Sequence, residues 1–332
     1  MIARGPVSEF LIEALTRRPS ELSPAPEPDG AEDLQLALYL CYELHYRGLP
    51  GVDDRWEWAP SLLALRAELE ERFEADLRRD VPVPSGSGAM DLALREVEAA
   101  DDAPSLSKHL ERDGTLEQFA EFVIHRSAYQ LKEADPHSWA LPRLSGGPKA
   151  ALVEIQADEY GGGDPRRIHA QLFADAMDAL GLDSRYGAYV DRIPAVTLAT
   201  VNLMSMFGLH RRLLGAIVGH LALFEMTSSI PNRRYAGALR RLGVPEATGF
   251  FDEHVVADAV HENVASVDLA GGLAKQDPRL EPDILWGAAA LVELDGRFAR
   301  HLLDSWAAGE SSLIEPRAAV AGSAASPAAP AR

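Results

Sequence analysis

Apolar residues recur three and four positions apart in every long segment of this chain, and apolar/polar alternation never persists beyond a few residues. A helix returns to the same face every 3.6 residues and a strand every second one, so the pattern predicts an all-α fold. Leu36, Leu38, Leu40 and Leu44 with Tyr39, Tyr42 and Tyr46 make 32–47 a strongly apolar helix, closed by Gly48, Pro50 and Gly51. Ser61 is placed to cap a second helix to Arg79, with Leu62, Leu65, Leu69, Phe73 and Leu77 on one face. Further helices are expected over 6–18, 89–100, 105–112, 115–134, 148–160, 195–207, 211–228, 232–242, 246–266 and 281–308. Asp164 and Pro165 read as the N-cap and first-turn proline of a helix ending near Gly181. The expected organisation is a helical extension, 1–88, packed on a core bundle, 89–310. Residues 311–332, rich in Ala, Pro, Ser and Gly, lack the bulky apolar groups that would order them.

Composition excludes several function classes. With 51 acidic against 32 basic residues the formal charge is −19, which repels nucleic acid and anionic membrane surfaces. No apolar run reaches the roughly 18 residues of a bilayer span, and no signal pattern opens the chain. The single cysteine, Cys41, rules out a disulfide framework and any Cys-rich zinc or iron–sulfur site. A cytoplasmic setting is expected, with neither nucleic acid nor membrane as partner.

Ligand-type side chains inside this oily frame call for an explanation. On a helix His254, Asp258 and His261 fall within about 60° of one another, with Val255, Val256, Ala257 and Val260 between them. Such a trio is costly to bury unless a divalent transition metal coordinates it. Glu225 stands in the apolar run Leu221-Ala-Leu-Phe-Glu225-Met, and His169 lies one turn before Phe173. Glu154, Asp158 and Glu159 gather at the end of the helix before Gly161-Gly-Gly163, where the negative end of the helix dipole disfavours acids and a compensating cation is implied. Glu154 and Glu159 lie about 140° apart on that helix, so only one can point inward. The residues alone leave open which.

Glu159 with His169 ten positions later, an isolated Glu225, and His254-x3-Asp258-x2-His261 together resemble the ligand set of the haem-oxygenase-like diiron oxidases and oxygenases, over roughly residues 115–308. The stretches Glu-Ala-Asp-Pro-His137-Ser-Trp139 and Arg-Tyr-Gly187-Ala-Tyr189 are similar to the actinobacterial branch of iron-containing redox enzymes. The resemblance implies a bundle of about seven core helices. It implies two non-haem irons, held by Glu159, His169, Glu225, His254, Asp258 and His261, that activate dioxygen. Glu154 and Asp158 stand as rivals to Glu159.

Imidazoles and carboxylates without thiolate suit iron or manganese better than structural zinc. The function expected is oxidation of a small organic substrate of amino acid, amine or fatty acid type, with an external electron donor and a homodimer as expected partners. A cofactorless oxidase of the same fold, or a non-catalytic helical iron-binding protein, are the alternatives. Tyr160, Met204, Phe207 and Trp286 are candidates for the substrate pocket. Arg233-Arg234 and Arg240-Arg241 are candidates for holding a substrate carboxylate. Glu43-Leu-His45 in the first apolar helix could assist the site, His45 otherwise reading as a hydrogen-bonded core or rim residue, while His125, His137, His210, His220 and His301 have no ligand partner at useful spacing.

Overall fold

The computed structural model describes residues 1–84 and 88–315, with every side chain except those of 257–260. Its helices are α1 (Pro6–Leu15), α2 (Gly30–Glu43), α3 (Pro60–Asp80), α4 (Met90–Ala99), α5 (Leu106–Arg112), α6 (Leu116–Gln130) and α7 (Asp135–Ser138). There follow α8 (Gly146–Glu159), α9 (His169–Ala179), α10 (Ala195–Leu209), α11 (Leu214–Arg241), α12 (Gly249–Asn263), α13 (Gly272–Gln276) and α14 (Glu281–Ala307). Among the described residues there is no strand.

The long α11 is the axis of the bundle, packed against α14, α12, α5 and α10. Glycine sets its closest approach. A Cβ at Gly219 would lie 1.8 Å from the Ile284 carbonyl oxygen, and one at Gly287 would lie 2.1 Å from that of Ala216, so α11 and α14 cross backbone against backbone. The N-terminal helices join the same core through α2, which lies along α10 and accepts the Asn202 amide on the Gln35 carbonyl at 2.8 Å. One cluster of buried apolar residues runs from α1 through α10, α11 and α14, and a second gathers around Phe119, Phe173, Phe250 and Phe298.

Four expectations about elements are corrected. Residues 211–228 and 232–242 form one continuous helix with Pro231 inside it. Proline removes one N–H bond and crowds the preceding turn, but α11 is packed on both sides of this point, and packing outweighs that local cost. The helix expected over 246–266 leaves α-geometry at Asn263 and continues as a π-helix, Val264–Gly271, into α13. Asp164 caps only a 3-10 turn, Pro165–Arg167, its side chain accepting from the Arg166 N–H, and α9 begins at His169. Finally, 311–315 is anchored: Ser312 and Leu313 are buried, and the Ser312 N–H and hydroxyl both donate to Glu121. Residues 316–332 lie outside the described residues.

The segment Arg211–Arg241 is in fact long and apolar enough to span a bilayer by length and composition. Its most apolar window is 67% buried inside the bundle, and its role as the central helix accounts for that character.

Candidate metal centre

Separate stretches of chain deliver ligand-type side chains to one place. Glu133 lies in the turns that follow α6, Glu159 is the last residue of α8, His169 the first of α9, Glu225 sits within α11, and His254 and His261 lie on α12. All six are buried, the most exposed being Glu159 at 7%. Backbone turns make this convergence possible. Just after Glu133, Ala134 adopts φ 72°, a left-handed conformation unusual for a residue with a Cβ. The Gln156 amide donates to its carbonyl at 2.8 Å and pins the turn against α8. Between Glu159 and His169, Gly161 at φ 75° lets the chain double back, since a Cβ there would meet the Arg167–Ile168 backbone at 2.7 Å.

Among the described residues the ligand-type atoms form two groups, each with all members within 4.8 Å of one another: Glu133, Glu159, His169 and His254 in one, and Glu159, Glu225 and His261 in the other. Glu159 belongs to both. Hydrogen bonds from the outside set each ring. His254 Nδ1 donates to the Phe250 carbonyl one turn back, at 2.8 Å, which turns Nε2 toward Glu133 Oε1 at 3.5 Å. His261 Nε2 bonds Asp158 Oδ2 at 3.1 Å, which turns Nδ1 toward Glu225 Oε2 at 3.3 Å.

Inside the cluster the polar atoms are close but not paired. His169 Nδ1 and Glu159 Oε2 approach to 2.9 Å without hydrogen-bond geometry, and neither atom, nor Glu133 Oε2, nor His261 Nδ1, has a hydrogen-bond partner. Unpaired buried lone pairs facing one another are costly, and a cation between them removes the cost. Proton affinities point the same way. Burial, then repulsion from Glu225, pushes the Glu159 carboxyl up to about 8, and burial also raises Glu133. Burial and the neighbouring His254 lower His169 to about 4. Burial pulls His261 down too, but Glu225, Asp158 and Glu159 outweigh it and raise it to about 9. The carboxylates crowd together, His169 stays neutral with its lone pair free, and His261 attracts positive charge. The donor set fits a metal ion.

The sequence candidates fall out as follows. Glu159, His169, Glu225, His254 and His261 are brought together. The Asp258 side chain lies outside the described residues. Glu154 is exposed, and Asp158 supports His261 from outside the cluster. Glu133 was not anticipated as a member of the cluster; the only signal was an acidic residue ending the apolar 115–134 segment beside Lys132. Among the pocket candidates, Met204 lines a small cavity with Tyr129 and Phe224 next to the centre. Phe207 and Trp286 pack on each other in the core, ring centres 5.2 Å apart, and the Tyr160 hydroxyl donates to Asp135 at the surface.

The remaining seven histidines have partners of their own, His109 meeting the Gln118 side chain at 3.3 Å. His125 bonds Thr197 and Ser312, His137 pairs with His220, His45 meets Glu57 and Arg66, His210 bonds Glu70, and His301 bonds the Ser312 carbonyl. Arg241 ties up carbonyls in the last turn of α5 and just beyond it, Arg240 pairs with Asp252, and Arg233 is exposed.

A cavity of about 10 Å³, bounded by Tyr129, Glu133, His137, Glu159, Glu225 and His254, lies within the centre and has room for about one water-sized molecule. Phe224 and Ser228 line both it and a much larger cleft of about 460 Å³ between α6, α11, α12 and α14.

No curated protein is similar enough to the chain to be matched to it. The profile of a family described as iron-containing redox enzymes matches residues 120–296, just over half of the chain, and contains all six of the converging residues. A buried cluster of glutamates and histidines able to hold a metal, inside an all-α bundle and within the span of that profile, means that the chain belongs to the iron-containing redox enzyme family, of the haem-oxygenase-like superfamily.

Proposed function

We propose that this protein is a non-haem diiron oxidase or oxygenase that uses dioxygen to oxidise a small organic substrate. The observation that carries the reading is the sharing of Glu159 by two groups of buried ligand atoms. A carboxylate has two oxygens and is able to bridge two ions, and paired metal ions sit roughly 3.5–4 Å apart in known two-metal sites. Glu133, His169 and His254 would hold one iron, and Glu225 and His261 the other, with Asp258 completing the set by its helical spacing. Bound iron would supply the one-electron chemistry with dioxygen that side chains lack.

The chain's own part is placement and dryness. Phe250 and Asp158 orient two of the imidazoles, the left-handed turn at Ala134 aims Glu133, and the small cavity excludes bulk water. The lone Cys41 is buried, its thiol pushed up to about 12 by that burial, so it provides no thiol relay. Reducing equivalents are accordingly assigned to an external donor in a cytoplasmic setting.

Anaerobic reconstitution with ferrous iron tests the reading. Close to two irons per chain by elemental analysis is the expected outcome, followed by dioxygen uptake on mixing with air. A reproducible maximum of one iron overturns the dinuclear assignment. Two irons without any uptake of dioxygen would make this an iron-binding protein instead, and manganese loading in preference to iron would change the metal.

A further inference from the structure

The large cleft shares Phe224 and Ser228 with the metal cavity, and its wall continues to the ligands through Phe250, whose ring centre lies 4.3 Å from that of His254. Most of the wall is aromatic or aliphatic. Its described charged groups balance: Glu98, Asp101 and Asp295 against Lys108, Arg126 and Arg234.

Arg126 is the group of interest. Its guanidinium lies over the Phe298 ring at 4.5 Å and is only 20% exposed. Of the five N–H donors an arginine carries, one is engaged, in a long 3.3 Å bond to Asp295 Oδ1. One turn further along α6, Gln130 lines the same cleft, and its Oε1 has no hydrogen-bond partner. Glu133 follows three residues later. It stands in the turns just past the end of α6 and lines the metal cavity, so the polar groups of the cleft and that cavity adjoin along one stretch of chain.

Resting on the reading above, we infer that Arg126, Asp295 and Gln130 form the headgroup site for the substrate, and that the substrate is an α-amino acid with an apolar side chain. The charges decide the class. A simple carboxylate approaching Arg126 would meet the Asp295 carboxylate beside it. A zwitterion gives its carboxylate to Arg126 and its ammonium to Asp295 and Gln130, replacing one weak ion pair by several bonds and leaving no net charge in the cleft. The aromatic wall then takes the side chain and directs it past Phe224 toward the irons.

The test is calorimetric titration of the full-length, metal-free protein with L-phenylalanine and L-leucine, and with N-acetyl-L-phenylalanine, L-phenylalaninamide and 3-phenylpropionate as probes of each charge. Saturable binding of at least one free amino acid is expected, weakened tenfold or more when either charge is masked. Arg126→Gln and Asp295→Asn should each weaken it at least tenfold while ferrous iron loading stays at its wild-type level. Should one variant fail to fold, the other and the masked ligands carry the test. Absence of binding by both amino acids up to 10 mM, or binding of 3-phenylpropionate as tightly as L-phenylalanine, overturns the proposal. His254→Ala separates the two readings: it should lose iron yet keep amino-acid binding, so a failed headgroup site and a failed metal site give different results.

Discussion

Asp158 shows how one side chain outside a cluster governs it. Its carboxylate is 60% exposed and touches the centre only through the His261 ring it orients. Outer partners of this kind change metal affinity by roughly ten- to a hundredfold, and the solvent around Asp158 places it at the weaker end. Asp158→Asn is therefore expected to weaken iron binding about tenfold by chelator competition, with helicity by circular dichroism unchanged. Glu159→Ala should abolish both irons because both groups use it, Glu133→Ala should leave one, and Glu154→Ala should leave two. Equal losses from Glu133→Ala and Glu159→Ala would remove the case for a shared carboxylate. Glu225, His169, His254 and His261 were legible because each is a polar residue in an apolar helical frame that makes no sense without a partner. Glu133 was not, because its aim depends on the positive φ of Ala134 and on the bond from Gln156, neither of which has a local signature.

The helices were legible by period, and their joints were not. Pro231 reads as a break, yet α11 passes through it because tertiary packing outweighs a single missing N–H bond. Pro231→Ala should consequently stabilise the protein, by roughly 1–3 kcal/mol, in urea unfolding; a loss of stability would mean that the proline ring itself is required by the cleft it lines. The α11–α14 crossing makes the opposite kind of prediction. Gly219→Ala drives a methyl into the Ile284 carbonyl, backbone that cannot move aside as a flexible side chain would, and a cost of about 3 kcal/mol or more is expected. A variant with wild-type stability would show that the two helices are able to separate. The π-helix after α12 and the 3-10 start before α9 likewise went unread, since both are decided by what the neighbouring helices leave room for.

At the scale of the molecule, buried imidazoles set the response to acid. Burial lowers His125 to about 3, with the nearby His301 adding to it, and burial alone lowers His137 to about 3, so both are neutral in the folded protein. Unfolded, each takes up a proton near pH 6.5. Below that value the unfolded chain binds protons that the folded chain refuses. The stability these two rings contribute is therefore complete above about pH 6.5 and is lost as the pH drops toward 3, by roughly 1.4 kcal/mol per histidine per pH unit, against the opposite trend of the raised Glu159 and His261. Urea midpoints of the metal-free protein and of a His125→Asn, His137→Asn variant at pH 7, 6 and 5 check this: the variant should lose less stability on acidification, and equal slopes would mean that these rings carry charge in the fold.

The turn after α6, the junction of α8 with α9, and α11 and α12 meet at a cluster whose three described carboxylates repel one another until a cation arrives. An ion that binds only the folded chain raises its stability by RT ln(1 + [M]/Kd), so occupancy sets how often these segments open. In a cell short of iron the unloaded chain would expose α8, α9 and α12 to proteases first, and the amount of protein present would come to track the supply of metal.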